Sequence, residues 1–84
     1  GLINSAVETE ALRDNVMNLA RKIASKSSAT VAIGKAAFYT QREMNLSDAY
    51  KYASEVMIQN LLTSDASEGI SAFIEKRKPQ WKDK

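Results

Sequence analysis

Cysteine and histidine are both absent from the 84 residues. Their absence excludes a disulfide framework, a Cys/His zinc site, a thiol nucleophile and an imidazole able to activate a serine or carry protons near neutral pH. A chain without cysteine suits a reducing compartment. Proline occurs once and glycine three times, so strong breakers are scarce and helix is favoured over sheet throughout. Long apolar runs are missing too. Ala36-Ala37-Phe38-Tyr39 is the longest and Val31-Ala32-Ile33 is among the next, far below the roughly 20 residues that cross a bilayer, and neither a membrane partner nor a signal peptide is expected. The length is insufficient for two independent cores. The opening Gly1-Leu2-Ile3-Asn4 reads as the end of a strand, so the chain is expected to be an excised segment.

Charge is present in moderation and unevenly. The formal net charge is +2 from 12 basic and 10 acidic residues. Five of the cations (Lys76, Arg77, Lys78, Lys82 and Lys84) fall in the last ten residues against Glu75 and Asp83. The basic character therefore belongs to the tail, while the preceding 74 residues are slightly acidic.

Apolar spacing predicts four helices after an extended Gly1 to Val7. Leu12, Val16, Leu19, Ala20 and Ile23 share one stripe of a helix from about Thr9 to Ser25. The Ser25-Lys26-Ser27-Ser28 cluster interrupts it and supplies hydroxyl caps for the next element. A second helix is predicted over Ala29–Arg42, apolar on more than one side, which implies two neighbours. Gly34 sits midway in it and costs about 1 kcal/mol relative to Ala unless another backbone uses the space. Asn45 is a suitable N-cap for a third helix running to Leu62 along Leu46, Ala49, Tyr50, Ala53, Met57 and Leu61. A shorter fourth helix starts at Ser64 or Asp65, with Asp65 and Glu68 near its start and Lys76, Arg77 and Lys78 in its last turn, in the order that complements the helix dipole. Pro79 ends it, and Trp81 is expected to dock the tail on the body. The fold class is all-α, a small bundle of about four helices.

Few residues suggest chemistry. Asp65 and Glu68 lie one helical turn apart, but capping accounts for both better than a cation site does. None of the nine serines has a basic partner pattern, and no glycine-rich phosphate loop exists. No catalytic and no metal-binding residue is assigned. Phe73 and Lys76, three apart, would share a helix face; a ring that stacks on a base beside an ammonium that meets a phosphate suits a nucleotide, while a core Phe beside a solvated Lys is the plainer alternative. A small basic nucleic-acid-binding domain is disfavoured because the cations are bunched at the end instead of along a recognition helix.

The run Asp65-Ala-Ser-Glu68-Gly69-Ile-Ser-Ala-Phe73-Ile-Glu-Lys76-Arg77-Lys78-Pro79-Gln-Trp81-Lys82 resembles the C-terminal signature of the enoyl-CoA hydratase/isomerase (crotonase) superfamily. Gly1-Leu2-Ile3-Asn4, Ala20-Arg-Lys-Ile23-Ala24 and Lys35 extend the similarity over nearly the whole chain in order. Gly34-Lys-Ala-Ala-Phe-Tyr39 with Ala49-Tyr50 is similar to the branch called enoyl-CoA hydratase domain-containing protein 3. Ser28 departs from the pattern, standing where many relatives open the second helix with proline.

The resemblance implies that residues 1–84 form a C-terminal helical domain packed over an N-terminal spiral core that the chain lacks. That domain takes part in a homotrimer, or in a hexamer of two trimers. It also implies that the oxyanion-holding N–H groups and catalytic glutamates lie in the core, so the isolated chain is expected to be inactive. The parent would hydrate 2-enoyl-CoA thioesters, taking a coenzyme A thioester as substrate with no tightly bound cofactor, in a bacterial cytoplasm or the mitochondrial matrix. By motif position, Phe73 and Lys76 would cover the adenine and 3′-phosphate end of CoA. Gly69 would allow close packing, and Pro79 with Trp81 would fix the tail. Cut from its core, the chain is expected to self-associate. The rival classes are a stand-alone helical protein-interaction module and the nucleic-acid binder.

Overall fold

A serine, an asparagine and a threonine open three of the four helices in the computed structural model, which describes Gly1–Lys84 throughout. A 3₁₀ turn at Thr9–Ala11 leads into α1 (Leu12–Ala24), followed by α2 (Ser28–Gln41), α3 (Leu46–Leu61) and α4 (Ser64–Ile74). No strand is present. The Ser27 hydroxyl accepts from the Thr30 N–H at 3.3 Å. Asn45 Oδ1 accepts from the Asp48 N–H at 2.9 Å, and its amide donates back to the Asp48 carboxylate at 2.9 Å. Thr63 Oγ1 accepts from the Ala66 N–H at 3.2 Å. Each cap satisfies an orphan donor of the first helical turn. Ser27 caps α2 where a proline at position 28 is dispensable, so the helix opens at Ser28 itself.

α2 packs against both α3 and α4, as its wide apolar surface requires, and α3 also meets α4. Ile33, Ala37 and Val56 form a half-buried seam between α2 and α3. Gly34 lies on that seam beside a cavity of about 170 Å³. A Cβ built there would meet nothing within 4 Å, so no other backbone uses the space.

α1 stands apart from this three-helix cluster. It packs mainly on the 3₁₀ turn, and the lead-in, which has no regular secondary structure, brings Ile3 and Val7 to the groove of Leu12, Val16 and Leu19. Its apolar stripe remains about half exposed at Leu12, Val16, Leu19 and Ile23.

Only Ser27, Asp65 and Ala72 are buried, and two of these are polar. The radius of gyration is 16.2 Å, against about 12 Å for a compact chain of this length. The accessible surface is 7365 Å², against about 5,000 Å² for a compact monomer of this mass. The helices are formed and capped, but they enclose almost no apolar core of their own.

The end of α4 differs from the sequence-based expectation. The helix stops at Ile74, ahead of Pro79. Lys76 adopts a left-handed conformation with φ of 55°. The Arg77 N–H donates to the Ala72 carbonyl at 3.0 Å and the Lys76 N–H to the Phe73 carbonyl at 3.3 Å. These crossed bonds are a Schellman closure, so Lys76, Arg77 and Lys78 follow the helix and do not form its last turn. The local hydrogen bonds end the helix before proline has any role.

Candidate functional site

The tail runs back along α4, held by two carboxylates. Asp65 is 2% exposed. Its Oδ2 accepts from the Ser27 hydroxyl and from the Asp83 N–H at 2.9 Å, and its Oδ1 from the Lys82 N–H at 2.7 Å. Its own N–H donates to the Lys84 carbonyl at 2.9 Å. The Ser27 hydroxyl, together with those backbone donors, holds the carboxyl below the usual aspartate range against the opposing effect of burial. The Asp83 carboxylate in turn accepts from the Ser28 N–H at 2.8 Å, so the tail ties the first turns of α2 and α4 together.

Glu68 binds the chain just beyond the helix. It accepts from both terminal nitrogens of Arg77, at 2.6 and 3.1 Å, and from the Gln80 N–H at 2.9 Å. The forked guanidinium bond is the main reason its pKa drops to about 2. Capping, the role expected of Asp65 and Glu68, therefore goes to Thr63 instead, and both carboxylates are turned to the tail. No sequence signal announces this for Asp65 and Ser27, whose contact spans 38 positions.

Trp81 completes the wall. Its indole N–H donates to the Ser25 carbonyl at 2.9 Å, and its ring lies against Gly69. With α2, α3 and α4 it bounds a groove of about 580 Å³, lined on its apolar side by Val31, Leu61, Ile70 and Phe73 and carrying Lys26. Phe73 is 85% exposed, so it belongs to no core of this chain's own. Lys76 lies outside the residues that line this groove, and Lys26, which the sequence did not single out, lies among them. The structure thus presents the Phe73 ring openly but does not stack Lys76 on the same helical face.

No group of three or more His, Cys, Asp or Glu side chains has the geometry to hold a metal ion. No helix is long and apolar enough to cross a membrane.

The family described as Enoyl-CoA hydratase/isomerase matches residues 1–84, the whole chain. The chain belongs to that family. Within this hydratase/isomerase family, the rat protein named enoyl-CoA hydratase domain-containing protein 3, mitochondrial, is 49% identical over 81 residues. The human protein of the same name is 46% identical over 81 residues. Each alignment covers 96% of this chain and 27% of the relative. The crystal structure of the human protein superposes with a TM-score of 0.92 at 46% identity, covering 96% of this chain and 32% of that one. An enoyl-CoA hydratase from Mycobacterium smegmatis gives a TM-score of 0.89 at 44% identity with the same coverage. These relatives support the enoyl-CoA hydratase domain-containing protein 3 branch, and the chain spans about a third of their length or less.

Proposed function

We propose that this chain is the C-terminal helical part of an enzyme that adds water across the double bond of 2-enoyl-CoA thioesters, and that it caps the site, contacts the CoA nucleotide and takes part in trimer assembly. The observation that carries this reading is the excess of exposed surface, large apolar side chains included, on a chain matched from end to end by the family. Surface of about 2,400 Å² beyond that of a compact monomer exceeds the roughly 800 Å² that each partner buries in a standard interface. Leu12, Val16, Leu19 and Ile23 on α1, and Leu62, Ile70 and Ile74 by α4, are the residues such a cover would bury. The catalytic core and a neighbouring subunit are the covers proposed.

In this reading the chain supplies binding and orientation, and no step at the thioester. Phe73, open to solvent, stacks on the adenine, and Lys76 meets the 3′-phosphate. The mitochondrial names of the rat and human relatives support the mitochondrial matrix as the compartment.

The test is steady-state kinetics on a full-length enzyme carrying these residues. Phe73→Ala and Lys76→Ala should each raise KM for a short 2-enoyl-CoA by about two- to fivefold, the scale of a partly exposed contact. An unchanged KM in both variants would remove the nucleotide role from this chain. Turnover by the isolated 84 residues that disappears with a substitution inside them would overturn the division of labour.

A further inference from the structure

Arg77 has no charge to spare. Its two terminal nitrogens are bound to Glu68, and its Nε donates to the Glu75 carboxylate at 2.7 Å. Lys76, one residue earlier, is in no ion pair, and neither is Lys78. The tail therefore divides its cations into one that is fixed and spent and others whose ammonium groups face solvent.

The fixed one sits next to an unusual backbone. Lys76 holds φ at 55°, a region that side chains disfavour and that glycine commonly fills at this position of a helix end. Strain of this kind persists only where surrounding bonds over-determine it. Here the bonds are on both sides of the residue. Helical carbonyls Ala72 and Phe73 hold the N–H groups of Arg77 and Lys76, and Glu68 holds the Arg77 side chain and the Gln80 backbone.

We propose that Glu68 is a positioning residue, whose grip on Arg77 and Gln80 sets the left-handed turn at Lys76 and so aims that lysine at the anionic end of the nucleotide. The proposal rests on the nucleotide role given to Lys76 above. Glu68 touches no substrate. Its work is to make the direction of a flexible lysine depend on a short, bidentate ion pair, while Glu75 keeps the Arg77 charge from competing for the same anion. Left to itself, a lysine stem samples many directions, and a contact made by only one of them is correspondingly weak.

A four-way comparison in the full-length enzyme tests it: the unaltered protein, Glu68→Gln, Lys76→Ala and the double variant, each assayed with a 2-enoyl-CoA and with the same thioester of 3′-dephospho-CoA. Lys76→Ala should raise KM for the CoA thioester by about two- to fivefold and leave KM for the dephospho thioester in place. Glu68→Gln should raise the ratio in the same sense, and should add nothing once Lys76 is alanine. If Glu68→Gln lowers the melting temperature but preserves the ratio of the two KM values, Glu68 is structural only and the proposal is overturned. Equal effects of Glu68→Gln with and without Lys76 would also overturn it, because Glu68 would then act elsewhere. Failure of Lys76→Ala itself to change the ratio would instead show that the nucleotide role of Lys76 is wrong, a different outcome from the same data.

Discussion

A methyl group placed on Gly69 would lie 3.2 Å from the Cη2 atom of Trp81. The glycine is the seat of the indole, and α4 can accept the returning tail because this one position has no side chain. The indole is also held from its far side by the Ser25 carbonyl, so it can give way only by loosening that bond.

Gly69→Ala combines a helical gain of about 1 kcal/mol with a tight contact, so its melting temperature should stay near that of the unaltered chain. Gly69→Leu should expel the ring. Trp81 is the only tryptophan, which makes its fluorescence a direct reporter: emission should shift to the red in the leucine variant and hardly at all in the alanine variant. Unshifted emission in Gly69→Leu would show that the indole does not depend on this seat.

The tail should release in acid. The carboxylates of Asp65 and Glu68 are favoured by the folded state, so their contribution is complete above their ordinary values of 3.8 and 4.5 and is lost as pH falls through the lowered folded values. For Glu68 the window closes at about 2. Protection of the Lys82 and Asp83 amides relative to their intrinsic exchange rates, with Trp81 emission, should report undocking between roughly pH 4.5 and 2 and stay flat from pH 5 to 8. Asp65→Asn should weaken docking at neutral pH and reduce its acid dependence. Release near pH 6 would contradict the assignment.

Lys76→Gly should separate stability from binding. Glycine relieves the left-handed turn, worth about 1 kcal/mol, so thermal stability should rise while the cation is lost. In the full-length enzyme the same variant should raise KM for an acyl-CoA. Lys76→Ala should lose the contact without the gain in stability. A glycine variant less stable than the alanine one would mean the turn at Lys76 is not strained.

The isolated 84-residue chain should associate. Its α1 stripe is open at Val16, Leu19 and Ile23, and apolar patches of this extent seldom stay free. Sedimentation should give a mass above the 9.3 kDa of one chain, falling toward that value when Leu19 and Ile23 are both changed to glutamate. A clean monomer at high concentration in the unaltered chain would count against it.

The helices were legible along the sequence because their causes are local. A 3.6-residue apolar period, Asn45 before α3 and the serine cluster before α2 act within one or two turns, and the helices appear where those signals stand. The resemblance carried by residues 65–82 pointed to the family for a similar reason, since its signature is a single contiguous run. What the linear pattern could not settle was anything that joins distant positions. Ser27 and Asp65 are 38 apart, and only the fold reveals that Asp65 serves the tail while Thr63 serves the helix. The end of α4 eluded the pattern for a subtler reason. Pro79 is a sufficient stop, but the bonds from Arg77 to Ala72 and from Lys76 to Phe73 close the helix at Ile74 first, with a lysine in the left-handed position where the linear pattern looks for glycine. Local hydrogen bonding and periodicity decided which segments are helical; long-range pairing of buried and half-buried charge decided where the tail lies and what it leaves exposed.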